Sequence, residues 1–232
     1  MNGTCPALLE WAAQGDHTVH RSGGAVAVSV SGLVRHDRIA VEGPVPAVRK
    51  LVAEIARPGY RLLGEAALIA EAFGADPAWT LTPSWSWMTT GGPVSPPGAA
   101  RWLDESAWPE VEALLELAFP DSYTWPGMNR VRRWAGIRDR DGSLVATAAD
   151  GPSAPTVGYL AGVAVHPAHR GTGLAGRICG FAARELASAH GTVALMVDDW
   201  NTTAIGLYER LGFTGRSAIR AAIPAAGNLR DP

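Results

Sequence analysis

The chain has 232 residues, 47% of them hydrophobic and 18% charged, with a formal net charge of -2 and an isoelectric point near 6.3. This composition supports a sizeable core and lacks the basic excess that holds nucleic acid. Cys5 and Cys179 are too few for a secreted disulfide framework, Glu10 and Asp16 interrupt the stretch where a leader would be apolar, and no run of about 18 apolar residues offers a membrane helix. A reduced, cytoplasmic protein with neither a nucleic-acid nor a membrane partner is expected.

In chain order, Ala25 to Val34 reads as a strand. Val45 to Ala56 and Glu65 to Phe73 carry apolar residues at helical spacing, namely Val48, Leu51, Val52 and Ile55, then Leu68, Ile69 and Phe73. Trp79, Trp85 and Trp87 follow, the last two alternating onto one strand face as core or interface filling. Thr89 to Gly98 gathers three Gly and three Pro, a composition no helix or central strand tolerates, and reads as a linker. The expected domains are therefore 1–97, a smaller α/β module, and 98–232. A length of 232 residues accommodates two cores of ordinary size.

Asp104 or Ser106 can cap a helix that continues through Trp108-Pro109 to Phe119, since Pro is accepted in a first turn. A shorter helix is expected over Met128 to Arg133. Arg133 to Arg138 and Leu144 to Ala149 read as strands joined by Arg140-Asp141-Gly142-Ser143, an Asp-Gly hairpin signal. Thr156 to Val165 is a third strand. Leu174, Ile178, Phe181, Ala182 and Leu186 mark a helix that stops at His190-Gly191. Thr192 to Val197 is one more strand, followed by a helix from Thr202 to Leu211 that Gly212 closes.

The segment between the third strand and the helix after it runs Val163-Ala164-Val165-His166-Pro167-Ala168-His169-Arg170-Gly171-Thr172-Gly173-Leu174-Ala175. A strand leads in and a helix leads out, which leaves backbone N–H groups unpaired at a helix N-terminus, where the dipole adds partial positive charge. A pyrophosphate fits such a place, and glycines let the backbone approach its oxygens. Alone, the pattern is equally that of a tight strand-to-helix turn. A nucleoside-triphosphate loop would need Gly-Lys followed by Ser or Thr, and no lysine lies near. Gly171, Gly173 and Gly176 have the spacing of a dinucleotide fingerprint, but Asp198 lies further on than its acidic partner should.

Downstream comes Asn201-Thr202-Thr203-Ala204-Ile205-Gly206-Leu207-Tyr208-Glu209-Arg210-Leu211-Gly212-Phe213. Arg170, Gly173 and Ala175, with Asn201, Ala204, Leu207, Tyr208, Gly212 and Phe213, closely resemble the two motifs of the GCN5-related N-acetyltransferase (GNAT) superfamily. The resemblance covers about residues 100 to 222 and suits an FR47-like or tandem type whose first half is a degenerate copy. It implies a GNAT fold: α/β, a mixed, mostly antiparallel central sheet flanked by helices, preceded by a smaller α/β N-terminal domain. It further implies acetyl transfer from acetyl-CoA, a co-substrate, to a primary amine of a small molecule or peptide, without a metal, and leaves a homodimer open.

By that resemblance the main chain of Val163, Ala164 and Val165 runs along the pantetheine arm. Arg170 and the amides of Gly171, Thr172, Gly173, Leu174 and Ala175 hold the pyrophosphate, Asn201 hydrogen-bonds the pantetheine region, and Tyr208 stands near the thioester sulfur. A phenol titrates near 10 and a thiol near 8.5, so Tyr208 suits a general acid that protonates the leaving thiolate. Many relatives place a Glu on the strand before the phosphate turn, whereas Gly158-Tyr159-Leu160-Ala161-Gly162 has no carboxylate. Asp121, Tyr159 and Asp198 remain as weak candidates for the base, beside a water relay or an amine that arrives neutral. The lost carboxylate also suits a non-catalytic acyl-CoA-binding module.

Cys179, inside a helix, is expected as a packed core thiol. The pairs His166/His169 and His17/His20 lack the third ligand a metal needs. Arg130, Arg132 and Arg133 are expected on a solvated face.

Overall fold

The structure, a computed structural model, describes residues 5–92 and 99–225. Along the chain the elements are α1 (Pro6–Ala12), β1 (His17–Ser22), β2 (Ala25–Leu33), β3 (His36–Glu42), α2 (Val45–Ile55), β4 (Arg61–Glu65), α3 (Ala66–Phe73), β5 (Trp79–Leu81) and β6 (Trp85–Thr90). There follow β7 (Arg101–Trp102), α4 (Trp108–Ala118), β8 (Arg133–Arg138), β9 (Leu144–Asp150), β10 (Val157–Val165), α5 (Leu174–His190), β11 (Thr192–Asp198), α6 (Thr202–Arg210) and β12 (Gly215–Pro224). They form two compact units: Met1–Trp87 with Val197–Trp200 and Arg216–Pro232, and Met88–Met196 with Asn201–Gly215.

In the first unit, β1, β2 and β3 form an antiparallel meander. β3 then pairs in parallel with β4 after the crossover helix α2, and β12 closes on β4 and β5. The apolar stripe of α2 is the reason it folds here: Val48, Leu51 and Val52 bury against Ala25, Ile39, Val41, Leu62, Ile69 and Phe73. Trp87 packs on Trp11 with ring centroids 5.4 Å apart, and Trp79 on Phe73 at 5.6 Å, so these tryptophans fill the core.

In the second unit, β7, β8, β9 and β10 pair antiparallel in that order, and β11 pairs in parallel with β10. All seven residues of β9 are buried, as expected of a strand covered on both faces. Val111, Leu114 and Leu115 of α4 pack on Trp134, Ala149 and Ala164. α5 covers the opposite face, where a Cβ on Gly158 would come within 2.9 Å of Leu186. The result is an α/β fold with a mixed, mostly antiparallel sheet flanked by helices. The units also share an element order: helix, three-strand meander, crossover helix, parallel strand, helix.

Three local expectations are corrected. Thr89 and Thr90 end β6 instead of opening a linker, β-branched residues that extend the Trp85–Trp87 strand; the rest of that stretch, 93–98, lies outside the described residues, as does the 97/98 division. Met128 to Arg133 holds no helix: one turn, Trp125–Met128, ends there and a second, Met128–Val131, follows, since Gly127 and Arg130 both take positive φ (74° and 68°) and Arg133 already starts β8. No side chain caps the helix after Asp104; a 3-10 turn, Glu105–Ala107, leads into Trp108.

Candidate functional site

β10 pairs with β11 only from Val157↔Thr192 to Tyr159↔Ala194, although both strands continue. Past Tyr159 the two edges part. On its other side β10 stays paired with β9, but the register shifts by one residue between Ala161 and Ala164, a β-bulge. Gly162 sits in the bulge with φ +58°, and a Cβ there would lie 2.5 Å from the Trp134 ring, so only glycine fits. The bulge turns Val163 to Val165 out of simple alternation, leaving them along a cleft edge with Val163 and Val165 half-buried and Ala164 anchored in the core.

Beyond Val165 the chain is held by its own side chains. His166 Nδ1 accepts from the Ala168 amide at 3.2 Å, and Thr172 Oγ1 donates to the His169 carbonyl at 2.6 Å. Gly171 and Gly173 adopt φ +77° and +81°, and no atom lies within 4 Å of where their Cβ atoms would be. That open space faces the start of α5, which no side chain caps. Among the described residues no acceptor takes the amides of Gly171 to Gly176. Seventeen aligned peptide units add their dipole at this end. An anion is what this arrangement can bind.

Arg170 does not point into that space. Its Nη2 donates to the Ala118 carbonyl, the last of α4, at 3.0 Å, so the guanidinium ties the turn to the helix before the loop of Ser122 to Asn129. Asn201 Oδ1 accepts from the Ala204 amide at 3.1 Å and caps α6. The cap occupies Oδ1 and leaves Nδ2 to donate. α6 lies against α5, where a Cβ on Gly176 would meet Leu207 at 3.4 Å.

Tyr208 is buried, with its ring 5.8 Å from that of Phe213. Burial pushes its phenol well above the usual value near 10, and the nearby Cys179 thiol and Tyr159 phenol push it the same way. Tyr208 therefore holds its proton across the physiological range, the state required of an acid. Cys179 itself is fully buried and its thiol is pushed up to about 12 by desolvation, an inert core position.

Asp121 is exposed on the loop after α4, and Asp198 belongs to the first unit, whereas Tyr159 is buried on β10. Arg133 keeps a side chain 38% exposed but is engaged: its guanidinium lies 3.8 Å over the Trp102 ring and its Nε donates to the buried Asp150. Its place in β8, beside an acidic strand end, sets that pairing. Among the described residues no group of three metal ligands occurs.

The model of the Acetyltransferase (GNAT) family matches residues 99–213, which include β8 to β11, the amide-lined turn, α5 and α6. Residues 99–213 are a GNAT acetyltransferase domain. A mycothiol acetyltransferase from Thermobispora bispora is 36% identical over 132 residues, 48% of this chain and 43% of that protein, so the matched region spans less than half the length of that relative. In fold, the chain is similar to a GCN5-related N-acetyltransferase from Kribbella flavida (TM-score 0.64, 19% identity, 97% of this chain and 95% of that one). It is also similar to a GNAT-family protein from Novosphingobium aromaticivorans (TM-score 0.57, 24% identity, 88% and 89%). The GNAT family uses acetyl-CoA as acyl donor, and the unengaged amides from Gly171 to Gly176 are suited in chemistry to the diphosphate of that donor.

Proposed function

We propose that the GNAT domain transfers an acetyl group from acetyl-CoA to a primary amine of a small molecule or peptide by direct attack. The observation that carries this reading is the set of unengaged amides at the α5 N-terminus, continuous with the cleft where β10 leaves β11. Those amides, from Gly171 to Ala175, hold the pyrophosphate; the main chain of Val163 and Val165 follows the pantetheine, and Asn201 donates to it through Nδ2. The partial match to a mycothiol acetyltransferase supports a small-molecule acceptor.

The neutral amine forms a C–N bond to the thioester carbonyl carbon, and the resulting oxyanion collapses with cleavage of the C–S bond. The thiolate takes the phenol proton of Tyr208, and the proton lost by the nitrogen passes to water. Fixed amides and a neutral phenol serve a donor carrying phosphates and a leaving sulfur, not a metal-activated one. The first unit, with the same element order, is a degenerate copy of the fold in this reading.

Tyr208→Phe tests the role of the acid. General acids contribute about 10²–10⁴-fold, so turnover in a thiol-release assay falls by that order while CoA affinity, read by calorimetry, is unchanged. Undiminished turnover removes Tyr208 as the acid. A wild-type protein that binds CoA but releases no thiol with any amine of a broad panel is a non-catalytic acyl-CoA module instead.

A further inference from the structure

The cleft opens at one residue, Tyr159, the last of β10 to pair with β11 and the third before the bulge at Gly162. Its amide is held by a side chain: the Tyr159 N–H donates to Ser153 Oγ at 2.8 Å. Ser153 Oγ in turn donates to Asp150 Oδ1 at 2.8 Å, and Asp150 Oδ2 accepts from Arg133 Nε at 3.2 Å. Arg133 lies over Trp102, which packs on Phe181 of α5 with centroids 5.4 Å apart. The same residue is gripped from its other end, since the Gly151 N–H donates to the Tyr159 carbonyl at 2.8 Å. A Cβ on Gly151 would meet the Tyr159 ring at 3.0 Å.

Asp150 is 1% exposed and Ser153 7%. A buried carboxylate is costly unless its oxygens are engaged, and here the two oxygens are divided between a cation on β8 and the hydroxyl that fixes Tyr159. By accepting the serine O–H, the carboxylate leaves the Oγ lone pair to receive the Tyr159 N–H at the point of divergence.

We infer that Asp150, acting through Ser153, is a positioning residue that sets the angle at which β10 leaves β11, and so the width of the coenzyme cleft. This rests on the acetyl-CoA reading above. Tyr159 is also one of the two groups that raise the Tyr208 phenol by their proximity, so the same chain of bonds reaches the acid.

The test uses Ser153→Ala, which leaves the Arg133–Asp150 pair in place and removes both bonds of the hydroxyl, to Asp150 Oδ1 and from the Tyr159 amide, and Asp150→Asn, which weakens the whole chain. Binding of CoA to the full chain is measured by calorimetry, and KM and kcat for acetyl-CoA with an accepted amine. For folded Ser153→Ala, Kd and KM rise about tenfold and kcat changes less than about threefold; Ser153→Thr, which keeps the hydroxyl, restores both. A role in stability alone would lower the melting temperature and leave Kd of the folded protein unchanged, and that result overturns the inference. Should Asp150→Asn not fold, Ser153→Ala and its threonine rescue decide alone. Failure of the wild type to bind CoA would instead remove the underlying reading.

Discussion

Replacing Gly173 by Ala separates what the turn does for the ligand from what it does for the fold. Gly173 holds φ +81° at the N-terminus of α5, with no atom within 4 Å of the position a Cβ would take. The cost to the free protein is therefore backbone strain alone, about 1–2 kcal/mol for a non-glycine residue in the left-handed region, or a melting point lower by roughly 2–8 °C in a chain of this size. The cost to the complex is larger. The added methyl group occupies the open side on which the diphosphate must approach the amides of Thr172 to Ala175. Losing one hydrogen bond to a charged group costs about 1.5–3 kcal/mol, and 1.4 kcal/mol is tenfold, so CoA should bind about 10- to 100-fold more weakly. Gly142, in the β8–β9 turn at φ +85° with an equally empty Cβ position, supplies the control: Gly142→Ala carries the same strain and should leave CoA binding untouched. Calorimetry with CoA and a thermal melt of both variants decide the matter. If Gly173→Ala binds CoA within about threefold of wild type, the amides of this turn do not hold the diphosphate.

The raised phenol of Tyr208 fixes the shape of the pH profile. A general acid is competent below its pKa, so with an acceptor amine of ordinary pKa the rate should climb as the amine deprotonates and show no loss from the acid up to pH 10; a decline beginning near pH 8 would contradict the assignment. Cys179, pushed up to about 12, keeps its proton in the folded state while the unfolded thiol loses it near 8.5. Its contribution to stability is therefore whole below that pH and is lost as pH rises toward 12, which denaturant melts between pH 8 and 10.5 would register as a falling midpoint that Cys179→Ala flattens. Gly162→Ala forces a Cβ to 2.5 Å from the fully buried Trp134 at φ +58°; strain and overpacking together should cost about 3 kcal/mol, visible as a shift of the urea midpoint.

Helices were the easiest part of the fold to read, since an apolar stripe such as Val48, Leu51 and Val52 is local and its period differs from that of a strand. The turn at Gly171 and Gly173 is legible for a related reason: glycines between a strand and a helix leave few backbone solutions. β1 escaped because it lies at the edge of the sheet and is exposed over His17–Val19, so its pattern lacks apolar alternation. β12 escaped because Arg216 and Arg220 interrupt it and its partners, β4 and β5, lie more than a hundred residues away. Long-range pairing leaves no local mark. The same holds at the site: Tyr208 stands in a readable motif, whereas the bonds joining Arg133, Asp150, Ser153 and Tyr159 depend on a β-hairpin register that composition does not reveal.

The return of β12 to the first unit bears on how the protein is made. Thr82 Oγ1 donates to the Ala221 carbonyl across 139 positions of chain, and Ala222 faces Leu81 and Leu62. During synthesis the amino-terminal unit thus holds an open sheet border until Gly215–Pro224 has emerged from the ribosome, more than 130 residues after β5, a prolonged interval in which sticky strand edges invite aggregation. Severing the chain at the Pro/Gly stretch would make that interval permanent for both fragments, and co-expression of the two pieces, not either one by itself, is the route by which a split version should yield native material.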